Sequence, residues 1–576
     1  MSWWLTQAGR ARSERVNIAD LQENADWLKG VKWTMSNDLY LSANFEITVD
    51  GANVPLKITY PAFFPDVPPQ IYPIGEVRLS RHQYGTGGEL CLEIRPDNWE
   101  PEMTGAMMIE SAHRLLTSEQ SEDGEREEVP DAHRTTIAQD VRGEHFRLII
   151  TGEDQKRLLA LPELSATELE LEEIYQAQRW IARPSRIGST ENPLWSYSLK
   201  PLKPIKRSGY IVRLSSDLIS SVPSSRDGLM EMAKNLGLDN LTVFISDVST
   251  ERPILFVAEG TSLLLSLLSG EDRKDALKYK TIDLPPAVQR QSSEYEALAE
   301  KMVALVGCGS VGSKVAASLS RAGVGSFVLV DGDILYPGNI VRNDLDQRSI
   351  GLNKPDAVKA RIQEINPFSE VSVRRVLMGG QESSASTEAA LQSIAKCDVI
   401  IDATADATIF NLCAAVARSQ CKPMIWGEVF AGGVGGIVAR ARPNIDPIPL
   451  LARRQLAAWC ADKGVPWDGM ESEAYELSRD DAPPLVADDA EVTIIAAHIT
   501  RLVIDILVRE ATIFPHSAYA VGLQQEWIFS APFDTFPINL EAGGEWQQPA
   551  SEETSAELIS LMGELFPNTS GVMDES

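Results

Sequence analysis

The sequence predicts an α/β protein of several units, the last and largest a doubly wound parallel sheet. Three observations carry that prediction. From about residue 285 the chain alternates short apolar runs (V-A-L-V-G, S-F-V-L-V-D, S-V-R-R-V, D-V-I-I-D-A-T, P-M-I-W-G-E-V) with helical patterns, the rhythm of strand-helix-strand units. The first run ends in Gly307-x-Gly309-x-x-Gly312 and opens a helical pattern. Near the N-terminus, alternating runs (L-S-A-N-F-E-I-T-V-D, V-P-L-K-I-T-Y) stand between helical segments, the signature of a smaller α+β unit.

The chain has 576 residues, enough for three or four domains. Hydrophobic content of 44% with 23% charged residues is that of a globular protein. A net charge of −29 argues against a nucleic-acid surface and favours basic partners. The N-terminus lacks the apolar core of a signal peptide, and no run reaches the length of a membrane span. The greasy stretch near 492–508 carries His498, Arg501 and Asp505 and reads as an amphipathic helix. Six scattered cysteines without a CxxC pair indicate neither a disulfide framework nor a zinc cage, so a cytoplasmic location is expected.

The elements follow in order. Residues 1–120 form the first unit, closed by the helical A-M-M-I-E-S-A-H-R-L-L, and the charged stretch 118–130 reads as a solvated linker. Residues 135–285 read as a small α/β unit. In it Y-I-V-R-L, L-T-V-F-I-S-D and P-I-L-F-V-A-E are strands, and the Pro/Ser-rich 183–204 is a loop. Residues 286–576 form the doubly wound unit, whose ligands bind at the carboxyl ends of the strands.

The glycine turn is a phosphate cradle, where backbone amides and a helix N-terminus meet negative charge. Asp331, about twenty residues on, stands where an acid holds a ribose hydroxyl. To this point an NAD-dependent oxidoreductase fits. Asp333, Asn339, Arg342 and Lys354 then add two cations near the phosphates. That suits a triphosphate whose α-phosphorus is attacked.

Together these residues resemble the adenylation domain of the ThiF/MoeB and ubiquitin-activating-enzyme superfamily, with its glycine turn, Asp-x-Asp, Asn-x-x-Arg and a Lys after a Gly. W-G-E-V-F-A-G-G-V-G-G at 426–436 is also similar to it, and the likeness covers about 285–510. It implies a Rossmann-like domain that uses ATP and Mg2+ to adenylate a protein's C-terminal glycine. Asp331 would hold the ribose, and Arg342 and Lys354 the phosphates. Where the family reads D-x-T-D-N, this chain has Asp402-Ala403-Thr404-Ala405-Asp406, so the implied metal ligand falls on Asp406 or Asp402.

Upstream, Tyr60-Pro61, Pro68-Pro69, Glu89-Leu90-Cys91-Leu92 and Trp99-x-Pro101 resemble ubiquitin-conjugating enzymes over about 20–118. The resemblance makes Cys91 the acyl-carrying thiol. His82-Gln83-Tyr84 stands where that family has His-Pro-Asn, and His82 is either structural or an aid to the incoming nucleophile. Fusions in this order resemble the activating-plus-conjugating proteins of bacterial antiphage operons. In the CBASS type the activated terminus belongs to a cGAS-like nucleotidyltransferase, and in related operons to a ubiquitin-like protein. The resemblance implies that the acyl group ends on target lysines. The likeness also implies a homodimer and a scaffolding middle domain. A relay cysteine is not found in S-R-D-D-A-P-P-L-V-A-D-D-A-E-V at 478–492. Cys460, on a helical pattern, is then either a relay or core; otherwise Cys91 attacks the adenylate directly, or Ala482 stands where a relay cysteine was replaced. Cys308, Cys397, Cys413 and Cys421 read as core or filler. A catalytically degenerate scaffold is the remaining alternative.

Overall fold

The computed structural model describes residues 2–49, 51–75, 79, 83–84, 87–119, 141, 143–196, 204–270, 272–283, 292–380, 382–430, 433–465, 487–547 and 552–566. Two compact units emerge, Met1–Gly143 and Glu144–Ser576. The linker expected at 118–130 lies almost wholly outside the described residues.

The first unit is an antiparallel meander flanked by helices. Strands β1 (Leu28–Met35), β2 (Leu41–Val49), β3 (Ala52–Thr59) and β4 (Gln70–Pro73) pair in sequence order. In β2, Ala43, Phe45, Ile47 and Val49 alternate inward, which is why one face buries and the other does not. Helices α1 (Ala8–Asn24) and α2 (Gly105–Glu119) border the sheet. They are joined by a buried carboxylate. One oxygen of Glu14, a fully buried residue, accepts from the Tyr60 hydroxyl at 2.8 Å and from the Gly105 amide at 2.7 Å, while Arg10 pairs with its other oxygen at 3.0 Å. A Cβ on Gly105 would stand 2.1 Å from the Tyr60 hydroxyl, so only glycine allows this approach. Two short strands, β5 (Gln83–Tyr84) and β6 (Glu89–Leu90), lead directly to Cys91.

In the second unit, β7 (Phe146–Ile150), β8 (Ser165–Gln176), β9 (Arg179–Gly188), β10 (Pro193–Ser196), β11 (Ile205–Arg213), β12 (Arg252–Ala258), β13 (Thr261–Leu267) and β14 (Ala276–Asp283) form one sheet. Because β8 pairs with both β11 and β9, seven of these strands close on themselves and only β10 stays outside the ring. Two sequence expectations are corrected here. Residues 241–247 are not a strand; Asp239–Ser246 is helix α3, with Leu241 and Ile245 buried one turn apart. The segment 183–204 is not simply a loop, since it holds the end of β9 and all of β10. Its prolines are tolerated because Pro184 sits at a register shift and Pro193 is the first residue of its strand.

The remaining strands are β15 (Met302–Val306), β16 (Ser326–Val330), β17 (Glu370–Arg374), β18 (Val399–Asp402), β19 (Met424–Val429), β20 (Gly435–Ala441), β21 (Ala518–Gly522) and β22 (Thr535–Ile538). They lie in the order 17-16-15-18-19-20-21-22. The first five are parallel, as expected. From β20 onward the pairing is antiparallel, which the strand-helix rhythm did not indicate. Helices cover both faces. α4 (Ser310–Ala322), α5 (Lys354–Ile365) and α9 (Asp489–Val508) bury one; α6 (Ser384–Ala395), α7 (Ala407–Ser419) and α8 (Pro449–Lys463) bury the other. The interior strands are apolar without alternation because both faces are covered.

Helix α9 is less amphipathic than its sequence suggests. Asp505 is 1% exposed and pairs at 2.8 Å with Arg440, itself fully buried, and the Ile513 amide donates to the same carboxylate. The charge marks an internal ion pair rather than a solvated face. Among the described residues no helix is long and apolar enough to cross a membrane.

Candidate functional site

Strand order reverses around β15: the chain runs outward through β16 and β17, then returns to β18 on the other side. The glycine turn follows β15 and so sits at this switch point, where a parallel sheet opens a crevice. Gly307 has φ +90°, a left-handed conformation that side chains disfavour. A Cβ on Gly312 would stand 1.9 Å from the Gly307 carbonyl oxygen, so the start of α4 packs on the turn itself. Gly309 is the helix N-cap and supplies no side-chain cap, and a Cβ there would meet open space. The first amides of α4 therefore lie beside open space at Gly309, with the positive end of a 13-residue helix behind them.

Asp331 follows β16 directly and binds the turn to the next loop. Its Oδ2 accepts from the Cys308 amide at 2.7 Å and its Oδ1 from the Asp333 amide at 2.8 Å. Burial raises its pKa above the usual carboxylate value, and the two amides oppose that rise. Each oxygen keeps a further lone pair, so the carboxylate can still receive a hydroxyl.

Asp333 and Lys354 form an ion pair of 2.7 Å, and the Lys354 amide donates to the Asp333 carbonyl at 2.8 Å. This pairing fixes the N-terminus of α5 beside the end of β16. The lysine side chain is only 13% exposed and retains two ammonium protons for another acceptor. Asn339 acts locally: its side chain accepts from the Tyr336 amide at 3.0 Å and so shapes the short helical turn Pro337–Val341. Arg342 caps that turn and is half-buried. The structure places Gly307, Gly309 and Gly312 in the turn after β15 and the first turn of α4, Asp331, Asp333, Asn339 and Arg342 in the segment that follows β16, and Lys354 at the start of α5.

The metal candidates are less open. Asp406 is the N-cap of α7, its Oδ1 accepting from the Thr408 and Ile409 amides at 2.7 and 2.9 Å. Asp402 is 3% exposed and accepts from the Thr404 hydroxyl at 2.6 Å, and burial pushes its pKa up to about 6. Ala405 occupies a left-handed turn, φ +58°, between them. Among the described residues no group of three or more His, Cys, Asp or Glu could hold a metal on its own.

The cysteines separate by burial. Cys91 and Cys421 are partly accessible; the other four are buried. Cys421 was expected in the core and instead follows α7 in a left-handed turn, φ +51°. Cys460 is 1% exposed on α8, and burial pushes its thiol up to about 12, with Glu428 adding to the effect. Burial of this kind is what the packing alternative expects of the thiol. Cys308 is likewise fully buried, its pKa driven upward. Cys91 stands between buried Leu90 and Leu92, just beyond β6. The loop after it is organised by Asn98, which receives the Arg95 amide at 2.6 Å and donates to the Glu93 carbonyl at 2.9 Å. Trp99 donates to the Pro65 carbonyl at 2.6 Å. His82 lies outside the described residues.

Sequence reasoning passed over two residues beside the strand ends. Glu428, in the W-G-E-V run, is pushed by burial up to about 7, with Arg453 working against the rise and Asp402 adding to it. Arg453 also opposes the upward shift of Asp402 and lies over the Phe410 ring at 4.7 Å. A lone acid inside an apolar strand was the available signal for Glu428; nothing local marked Arg453. Between pH 4.5 and about 7 the folded chain keeps a proton on Glu428 that an unfolded chain releases. Stability from this group is therefore complete below pH 4.5 and lost as pH rises through about 7. Glu428→Gln is expected to melt with the native chain at about pH 5 and above it at about pH 8. Thermal unfolding at both values checks this; a gap that does not widen with pH contradicts it.

Residues 285–528 match the ThiF family. The chain is 32% identical over 157 residues to the uncharacterized protein y4oA of Sinorhizobium fredii, 26% of each chain. It is 33% identical over 144 residues to ubiquitin-like modifier-activating enzyme 5 of Drosophila sechellia, covering 23% of this chain and 35% of that one. It is 36% identical over 115 residues to the ATP-dependent ubiquitin transferase-like protein Cap2 of Enterobacter hormaechei, 20% of this chain and 18% of that one. The matched stretches thus span about a fifth to a third of these relatives. Among solved structures, E. coli MccB with AMPCPP and MccA aligns over 44% of this chain and 69% of that chain at 15% identity, TM-score 0.33. Residues 285–528, in the C-terminal half of the protein, thus resemble ThiF-type, E1-like adenylation domains.

Proposed function

We propose that this chain uses ATP to activate the C-terminal carboxylate of a protein, carries the acyl group on Cys91 and ligates it to a target amine. The observation that carries the reading is the convergence at the β15–β16 strand ends. There an uncapped helix N-terminus and a glycine turn fit phosphates, a half-buried Asp331 fits a ribose, Arg342 belongs to the adjoining loop and Lys354 opens α5.

The chemistry balances in three steps. The substrate carboxylate attacks the α-phosphorus of ATP, forming an acyl-adenylate and releasing pyrophosphate. The amides of α4 with Arg342 and Lys354 receive the charge that builds on the phosphates. The Cys91 thiolate then adds to the acyl carbon and AMP leaves, giving a thioester. A target lysine amine attacks that thioester, and the thiolate departs. Placing the acceptor thiol on the same chain raises its effective concentration.

Magnesium fits this site only as an ion held largely by phosphate oxygens and water, since Asp406 spends one oxygen on capping and Asp402 is enclosed. When bound it would neutralise the pyrophosphate leaving group.

In this reading residues 1–120 are the conjugating-like domain, 135–285 the scaffold and 286–576 the adenylating domain. The substrate is a cGAS-like nucleotidyltransferase or a ubiquitin-like protein, the assembly a homodimer, and the setting antiphage defence in the cytoplasm. The similarity to Cap2, an ATP-dependent ubiquitin transferase-like protein, supports the pairing of ATP-dependent activation with transfer. Label from pyrophosphate is expected to enter ATP when the full chain meets such a client. Saturable binding of NAD without ATP binding would replace the reading with the oxidoreductase. ATP binding without exchange toward either client would leave a scaffold.

A further inference from the structure

The adenylation half ends in a helix, α10 (Glu552–Leu565), that the proposed chemistry does not use. Leu558, Leu561, Met562 and Leu565 repeat at helical spacing, and Ile559 and Phe566 widen the stripe. All six are between 47% and 74% exposed, a continuous apolar surface that normally marks an interaction site. The charges of residues 552–566 are all negative: Glu552, Glu553, Glu557 and Glu564, with no Lys or Arg. A seat for this helix therefore needs an apolar floor and a basic rim.

On a chain of net charge −29, most of the surface repels such a helix. A groove of about 520 Å³ between α7 and α8 has the required character. It is lined by Leu450 and Ala457 with Asn411, and edged by Arg453 and Arg454. The chain just before α10 already lies against these two helices. Gln455 of α8 exchanges two hydrogen bonds with the backbone of Glu541, and Arg418 of α7 bonds to the backbones of Glu545 and Gln547. Yet the apolar stripe of α10 is open, so its own groove does not hold it here.

We propose that α10 docks into the α7–α8 groove of a second copy of this chain, its glutamates meeting Arg453 and Arg454. Exchange in both directions gives a closed twofold pair in which two stripes and two grooves are covered at once.

The test uses full-length chains. One carries Leu561→p-benzoylphenylalanine at natural isotope abundance; the other is 15N-labelled and unsubstituted. After mixing and irradiation, adducts are expected between the light helix and heavy peptides containing Asn411 or residues 449–463. Arg454→Glu in the heavy chain should lower their yield about tenfold, and Glu557→Lys with Glu564→Lys in the light chain should restore it. Arg454 is exposed, so its reversal leaves the fold intact. Adducts that run only as monomers mean the helix seats on its own chain, and overturn the proposal. So do adducts elsewhere on the heavy chain, no adducts, or a yield indifferent to Arg454→Glu.

Discussion

Arg342→Ala is expected to lower client-dependent ATP–pyrophosphate exchange by roughly 10²- to 10³-fold, the scale of removing one preorganised charge-stabilising donor. Arg342 caps the short turn Pro337–Val341, and Asn339 shapes that turn through its bond to the Tyr336 amide. A guanidinium there would contribute most as negative charge moves onto the leaving pyrophosphate. The loss should accordingly fall on the rate constant more than on ATP binding. Arg342→Lys keeps the charge but loses the planar fork, so an intermediate rate is expected. Exchange is read as label entering ATP, with thermal unfolding of each variant showing that the fold is retained. Unchanged exchange in a folded Arg342→Ala protein removes the phosphate role.

Cys91→Ala is expected to leave that exchange at the native level while abolishing conjugates. In the proposed reaction adenylation requires only the second unit, whereas acyl transfer requires the thiol. Two signatures separate a carrier from a structural cysteine. The native chain should accumulate an adduct with its client that thiol reductants release. Cys91→Ser should replace it with an ester that reductants leave intact and base cleaves, because the serine oxygen stands in for sulfur. Conjugates that persist in Cys91→Ala place the transfer elsewhere. The buried alternatives are poorly suited: burial drives the thiols of Cys460 and Cys308 upward, the former to about 12.

Much of the nucleotide site was legible because it is local. Gly307 and Gly312 answer short-range demands, a left-handed turn and a helix packed on a carbonyl oxygen, so their spacing shows in the letters. Asp331, Asn339 and Arg342 lie within a dozen residues of one another, and their loop is closed by bonds among near neighbours. The parallel strands β15, β16, β18 and β19 were legible for a similar reason. A strand buried on both faces writes itself as an unbroken apolar run.

Other features depended on distant partners and left weak traces. Nothing in β8 states that it pairs with both β11 and β9, since ring closure joins residues far apart in the chain. The helix at Asp239–Ser246 overrode a strand-like composition because burial of Leu241 and Ile245 requires helical spacing. Asp505 read as a surface charge until Arg440, 65 residues away, was placed against it.

The sequence by itself determined the identity and order of the chemical groups: the glycine turn, its acids and cations, and the accessible-looking Cys91. Only the tertiary structure decided their states. It enclosed Asp402, committed Asp406 to a helix cap, paired Lys354 with Asp333 and sank Cys460 into the core. The physical reason is that backbone turns obey short-range sterics, whereas burial and charge pairing are set by whichever remote segment the fold brings alongside.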